Sequence, residues 1–304
     1  MNYRAVALFG PTGVGKTALS LKLAEKNNAE IISVDSMQVY RYMDIGTAKI
    51  LPNEQNGIVH HLIDVVNPDE PFTAGDFKRF SENKIIDIAK RGKTPFLVGG
   101  TGFYFSTLIN GIVDIPKIDD NLRERLRKLL SKRGKQWIFR MLELVDYDLS
   151  LRLNENDSQR VLRGLEVFFG TNRKLSDFYN DKRNNLDNVS YLKIALNISR
   201  DELYDRINQR VDSMVQSGLE NEVRKLLDMG YTRDDWGMKG IGYVEFIDYF
   251  EGKCSFSEAV DKIKQNSRHY AKRQLTWFRK MSDVYWFSPN DESEIISLVN
   301  SFLS

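Results

Sequence analysis

Apolar residues in the first hundred positions fall into short, largely unbroken runs instead of a strict alternation with polar ones. Ala5–Phe9, Glu30–Val34 and Thr94–Val98 are such runs, each too short for an ordinary helix. Runs of this kind suit parallel strands covered on both faces. At about 16–26 and 76–91 the apolar positions instead recur every three to four residues, which predicts helices. Strands alternating with helices indicate an α/β domain. From Pro116 the pattern changes, and residues 116–190 read as helical with no convincing strand. A strand pattern returns at Tyr191–Ile198, followed by helical stretches at about 200–229, 240–250 and 256–281. Val284–Phe287 adds an edge strand before a C-terminal helix. The pattern predicts an α/β core with a parallel sheet, formed by residues 1–115 and 191–304, and an inserted all-helical domain over 116–190.

Composition narrows the classes. Hydrophobic residues make up 41% and charged ones 28% of the 304 residues, enough apolar material for a sizeable core. No apolar run approaches the roughly 18 residues of a membrane span, and no N-terminal signal segment is evident, so no membrane partner is expected. The single cysteine, Cys254, excludes an intrachain disulfide and a Cys-rich zinc site and suits a reducing cytoplasm. No long coiled-coil seam is visible, which favours a monomer. The net charge of +2 announces no nucleic-acid partner for the molecule as a whole, so any such footprint must be local. Two segments qualify. The helical insertion carries sixteen Lys and Arg against twelve Asp and Glu. Lys264 to Ser282 carries Lys264, Arg268, Lys272, Arg273, Arg279 and Lys280 with no acid, interleaved with Tyr270, Trp277 and Phe278. Six cations without a carboxylate can face the phosphates of a ligand or of nucleic acid.

The first strand runs into Gly10-Pro11-Thr12-Gly13-Val14-Gly15-Lys16-Thr17, and a helix follows. Strand, glycine-rich loop and helix is the context in which G-x-x-x-x-G-K-[ST] forms a P-loop. Its backbone N–H groups and the helix N-terminus cradle an anion. Lys16 neutralises a terminal phosphate there, and the Thr17 hydroxyl is a Mg²⁺ ligand. The fold class is therefore P-loop NTPase-like.

Other candidate chemistry sits at the ends of the neighbouring strands, where ligands of open α/β sheets bind. Asp35, in Asp35-Ser36-Met37-Gln38-Val39-Tyr40, is a magnesium ligand, a helix cap or a general base. The third strand ends in Gly99-Gly100-Thr101-Gly102-Phe103-Tyr104 without the acid that often holds the metal of an ATPase, and Thr101 offers a hydroxyl. His60-His61-Leu62-Ile63-Asp64 invites a metal reading, but adjacent histidines seldom converge on one ion, which favours structural hydrogen bonding. In the insertion, Asn156-Asp157-Ser158 caps a helix beginning near Gln159. Gln159, Arg160, Arg163 and Glu166 share one of its faces, while Val161, Leu165 and Phe168 take another. A solvated charged face accounts for the former as well as a binding surface does.

Taken together, G-P-T-G-V-G-K-T (10–17), D-S-M-Q-V-Y (35–40), D-I-G-T-A-K (44–49), H-H-L-I-D (60–64), G-G-T-G-F-Y (99–104), N-D-S-Q-R (156–160), G-I-G-Y-x-E (240–245) and Y-A-K-R-Q-x-T-W-F (270–278) resemble the bacterial-type tRNA dimethylallyltransferases, the IPP transferase family, essentially end to end. The P-loop alone is shared widely, whereas its combination with D-S-x-Q-V-Y and G-G-T-G-x-Y is specific. The resemblance implies transfer of a dimethylallyl group from dimethylallyl diphosphate to N6 of adenine 37 in tRNAs reading codons that begin with U, with Mg²⁺ as cofactor. It implies that Gly10 to Thr17 hold the donor diphosphate, with Arg206 and Arg210 as partners. On this resemblance Asp35 is expected to take the N6 proton and Thr101 to hold the amine. Contacts to tRNA map onto Asp35, Ser36, Met37, Gln38, Thr101, Arg123, Gln159, Arg160, Val161, Leu162 and Arg163. The adenine is expected to leave the anticodon loop and enter a channel between core and insertion. Phe103 stands where an aliphatic residue is common, Ser267 where threonine is usual, and there is no C-terminal zinc finger as in eukaryotic relatives. A small-molecule kinase or an adenine-nucleotide isopentenyltransferase would share the P-loop without needing a tRNA-binding face. A non-catalytic RNA-binding protein would need neither Asp35 nor Thr101.

Overall fold

The computed structural model describes residues 2–181, 184, 186 and 188–304. In chain order its elements are β1 (Tyr3–Phe9), α1 (Lys16–Lys26), β2 (Ala29–Val34), β3 (His60–His61), α2 (Ala74–Lys90), β4 (Thr94–Gly99) and α3 (Gly102–Asn110). Then come α4 (Asp120–Arg133), α5 (Lys135–Val145), α6 (Tyr147–Ser150), α7 (Ser158–Thr171) and α8 (Leu175–Phe178). The chain continues through β5 (Val189–Leu196), α9 (Arg200–Gln216), α10 (Leu219–Asp228), α11 (Tyr243–Phe250), α12 (Phe256–Phe278), β6 (Val284–Phe287) and α13 (Glu292–Leu303). These elements form two compact units, Met1–Ile109 with Leu186–Ser304, and Asn110–Asn185.

The larger unit is built on a six-stranded sheet of order β3-β2-β4-β1-β5-β6, every pairing parallel. This is the expected P-loop-like α/β fold. Burial on both faces is visible residue by residue in β1. Val6 and Leu8 join one apolar cluster with Leu19, Leu23 and Ile194. Ala5, Ala7 and Phe9 join another with Phe77, Ile85 and Phe105. A third cluster, including Val39, Met43, Val211, Leu219, Tyr243 and Ile263, lies among α9, α10, α11 and α12.

Register brings the strand ends level. Phe9 pairs with Gly99, and Gly99 pairs with Val34, so Gly10, Asp35 and Gly100 leave the sheet side by side at its carboxyl edge. The histidine pair forms a short strand, and both rings take part in hydrogen bonds. His61 lies against the Glu30 carboxylate at 2.7 Å, and the His60 ring nitrogen against the Ile58 carbonyl at 2.9 Å. Glu30 is buried in β2, where Arg91 holds its carboxyl well below the usual range, helped by Lys93 and His61 against the opposing effect of burial. No group of three or more potential metal-ligating side chains occurs among the described residues. The helical stretch expected over 200–229 is two helices, because the chain turns at Gly218, whose φ of 95° ends the first and starts the second.

The smaller unit has its own core of Leu126, Ile138, Leu142, Val161, Leu165 and Phe178 among other apolar side chains. Asp146, fully buried, accepts from Leu149 N at 3.1 Å and Ser176 N at 2.9 Å, tying the start of α6 to α8. Asp157 caps α7 by accepting from Arg160 N. Val161 and Leu162 are 1% and 8% exposed. Both side chains pack into this core, so a contact to RNA at these two positions falls to their backbone. Gln159 and Arg160 are exposed, and Arg123 and Arg163 converge on Glu166 at 3.2 and 3.4 Å. Among the described residues no helix is long and apolar enough to cross a membrane.

Candidate active site

The strand ends of the larger unit open onto a cavity of about 350 Å³. Thr12, Lys16 and Thr17 of the P-loop line it, with Asp35, Ser36, Met37 and Gln38 from the loop after β2 and Arg210 from α9. Gly10, Pro11, Gly13, Val14 and Gly15 form the loop behind these side chains without lining the space, and Arg206 is turned to an ion pair with Glu202 at 2.8 Å. Among the described residues, Asp35 is the only carboxylate on the wall, against the cations of Lys16, Arg210, Lys239 and Arg273. The wall also carries Val211, Met214, Leu219, Ile241 and Ile263, all part of the third apolar cluster or packed against it.

Lys16 Nζ donates to the carbonyls of Gly10 at 2.9 Å and Pro11 at 2.8 Å, so its charge stands over the loop that precedes α1. Burial pushes the Lys16 ammonium down to about 7, nearby Arg210 acts in the same direction, and Asp35 opposes both. Burial also lowers Arg210, again opposed by Asp35. Two cations pressed together in a desolvated pocket are short of anions, which is the condition for binding a polyanion.

Asp35 Oδ1 accepts from Met37 N at 2.8 Å and Gln38 N at 3.3 Å, a local turn that fixes the carboxylate at the strand end. Thr101 lies outside the cavity lining, but its Oγ1 accepts from Ser36 N at 3.0 Å and so joins the two strand-end loops. Gln38 is committed structurally: it accepts from Ser33 Oγ at 2.9 Å and its amide donates towards the Thr47 and Ala48 carbonyls. Tyr270 bridges the wall. Burial raises its phenol to about 12 with Asp35 adding to the rise, while hydrogen bonding to Thr101 and Gln274 lowers it.

A family model described as IPP transferase matches residues 38–281, and one described as Isopentenyl transferase matches residues 3–70. The chain belongs to the IPP transferase family. A tRNA dimethylallyltransferase of Limosilactobacillus reuteri is 44% identical, with 99% of both chains covered. One of Clostridioides difficile is 43% identical over 98% of this chain and 96% of its own. Among solved structures, the tRNA isopentenylpyrophosphate transferase of Bacillus halodurans is 40% identical, covers 100% of this chain and 97% of its own, and superposes with a TM-score of 0.73. A eukaryotic dimethylallyltransferase solved acting on tRNA superposes with a TM-score of 0.85 at 30% identity, covering 99% of this chain and 79% of its own.

Two residues of this IPP transferase hold the site together without having been singled out in its sequence. Gln274, 5% exposed on α12, accepts from Thr12 N at 2.9 Å and donates to Gly100 O at 2.8 Å, bolting the P-loop to the loop after β4. Glu222 on α10 accepts from the backbone N–H groups of Asp44, Ile45 and Gly46 at 2.7–3.0 Å and from the Tyr243 hydroxyl at 2.6 Å. It thereby fixes the segment whose Gly46, Thr47 and Ala48 line the cavity. Gln274 stands inside the Y-A-K-R-Q-x-T-W-F motif, which was the one signal available. Glu222 stands in none.

Proposed function

We propose that the chain transfers a dimethylallyl group from dimethylallyl diphosphate to N6 of adenine 37 in tRNAs that read codons beginning with U. The observation that carries this reading is the make-up of the cavity wall: P-loop residues and cations with one carboxylate among the described residues, together with a cluster of apolar side chains. A prenyl diphosphate combines the matching anionic and apolar parts, whereas ATP would set a polar nucleoside in place of the apolar tail. Tight relatives named for tRNA dimethylallyl transfer support the acceptor.

The chemistry follows from the groups present. The adenine amine is a poor nucleophile because its lone pair is delocalised into the ring, so catalysis rests on the leaving group and on positioning. As the N6 lone pair attacks the allylic carbon, the C–O bond to diphosphate breaks and pyrophosphate departs with the bonding electrons. Lys16, Arg210 and the P-loop amides stabilise the negative charge that grows on the diphosphate. Asp35 accepts the N6 proton, which alkylation makes acidic. Thr101, accepting from Ser36 N beside the cavity, holds in place the strand-end loop that carries Asp35. The Thr17 hydroxyl is exposed on the cavity wall and suits a Mg²⁺ ion held mostly by phosphate oxygens and water, not by an all-protein cage. Such an ion supplies further neutralisation of the leaving group when bound.

The test incubates the protein and Mg²⁺ with radiolabelled dimethylallyl diphosphate and an unmodified anticodon stem–loop, AMP or ATP. Label is expected in the stem–loop alone, recovered as N6-dimethylallyladenosine after digestion. Prenylation of AMP in preference to RNA, or ATP hydrolysis at a comparable rate without RNA, would overturn the reading.

A further inference from the structure

The cavity accounts for one base, yet a base cannot leave an RNA loop without its neighbours losing a stacking partner. Beside the cavity are two large aromatic side chains for which the fold has little use. Phe103 is 51% exposed and Trp277 37% exposed, and their rings meet edge to face with centroids 6.0 Å apart. Their place in the chain puts them at its edge. Phe103 follows Gly100, which lines the cavity, by three residues and stands at the start of α3. Trp277 stands one turn beyond Arg273 and Gln274, both of which line the cavity, a rise of about 5 Å along α12. The pair is fixed, not loose: a Cβ at Gly102 would lie 2.5 Å from the Trp277 ring, so helix α3 and the indole are in close contact.

The surroundings favour an anionic partner. From Lys262 to Ser282 there is no acid. Lys264 is spent on Asp212 and Arg268 on Asn208, at 2.6 Å each. Lys272, Arg273, Arg279 and Lys280 form no ion pair among the described residues, and all four are exposed. Flat aromatic faces beside unpaired cations are the means by which proteins hold unpaired nucleotides: rings stack on bases while cations meet phosphates.

We propose that Phe103 and Trp277 form a stacking platform for an unpaired RNA base that adjoins the target adenine, taking over the stacking which that base loses when the adenine enters the cavity. This rests on the tRNA reading above and adds to it a second base-binding position. The role is in substrate recognition, so the platform is felt in the RNA and not in the prenyl donor.

The experiment measures steady-state prenylation of an anticodon stem–loop by the wild type, Phe103→Ala and Phe103→Tyr. Each is also assayed on stem–loops made abasic at one or the other nucleotide flanking adenine 37. Phe103→Ala is expected to raise KM for the intact stem–loop about five- to thirtyfold. The KM for dimethylallyl diphosphate should be unchanged, and Phe103→Tyr should restore the wild-type value. One of the two abasic stem–loops should impose the same penalty on the wild type and add none to Phe103→Ala. The proposal is overturned if Phe103→Ala keeps the RNA KM within twofold, or if neither abasic site couples to it. It is equally overturned if the substitution spares RNA kinetics and instead dissociates a dimer in sedimentation, which would make the pair a contact between copies. Failure of the wild type to modify any stem–loop would strike the proposed function instead, so the two outcomes are separable.

Discussion

Lys16 is the side chain through which pH acts on this site. With its pKa near 7 in the free protein, it is largely neutral at pH 8. A bound diphosphate restores the charged form, so donor binding should take up a proton at pH 8, and affinity should fall as pH rises above about 7. Calorimetric titration in buffers of different ionisation enthalpy measures that uptake. The lysine's share of that uptake should vanish at pH 6, where the free lysine is already charged, and Lys16→Met, which keeps only the diphosphate's own titration, isolates that share by difference from wild type. The same shift acts on stability with the opposite sense. Between pH 7 and 10.5 the unfolded chain holds the Lys16 proton more tightly than the folded one, so this group's contribution to stability improves with rising pH. Asp35→Asn is the complementary test. Asparagine Oδ1 can still accept from Met37 N and Gln38 N, so the turn survives while the base is lost. Single-turnover transfer should slow by about 10² to 10⁴ with thermal stability near wild type, and an unchanged rate would reduce Asp35 to a loop cap. Lys16 and Asp35 could be picked out in the sequence because their chemistry is local to a motif. Gln274 could not be, since it bonds to backbone groups rather than to side chains, one of them 262 positions away. Nor could the burial of Val161 and Leu162, which depends on what α7 packs against.

Helix α12 is both wall and bolt. Gln274→Ala leaves the Gly100 carbonyl buried without its partner, at a cost of about 1–3 kcal/mol, while the part-buried Thr12 N–H on the cavity wall can turn to water. Thermal unfolding should report that loss, and kcat should fall further than stability explains because the two strand-end loops are no longer held together. Helix α10 does the same for the segment after β2: Glu222→Ala should destabilise the protein by a few kcal/mol, since three backbone donors and the buried Tyr243 hydroxyl lose a charged acceptor. A variant that unfolds like wild type would show that water replaces the carboxylate there. The elements themselves were legible where hydrophobic pattern dominates. β1, β2 and β4 are short, mainly apolar runs and announce themselves, and even the edge strand Val284–Phe287 has the bounds its pattern implied. β3 was invisible because two residues contain no period, and it exists only through the pairing of His60 and His61 with Ile31 and Ile32. The division between α9 and α10 was legible in Gly218 but was masked by an apolar repeat that runs on across it.

At the scale of the molecule, the smaller unit presents Gln159 and Arg160 on its surface, with Glu166 pairing Arg123 to Arg163. If this face grips the anticodon arm, Arg160→Ala combined with Arg163→Ala should weaken stem–loop binding and reduce the magnitude of its salt slope by about 0.7–0.9 per lost phosphate contact. Fluorescence titration at several salt concentrations reads both effects, and donor affinity should be untouched. A double variant that binds with the wild-type slope would deny the face any phosphate contact. The order of strands across the larger unit has a consequence in time as well as in space. β1 lies between β4 and β5, and β5 is reached only after the whole of the smaller unit. During synthesis, at 5–20 residues per second, the ribosome spends roughly 4 to 15 s on those intervening residues. Throughout that interval β1 has one edge paired and the other bare. The smaller unit, with a core of its own, can fold meanwhile, whereas the nascent sheet must wait with an open flank. The period before β5 emerges is thus when the growing chain is most exposed to mispairing, and chaperone dependence should concentrate there.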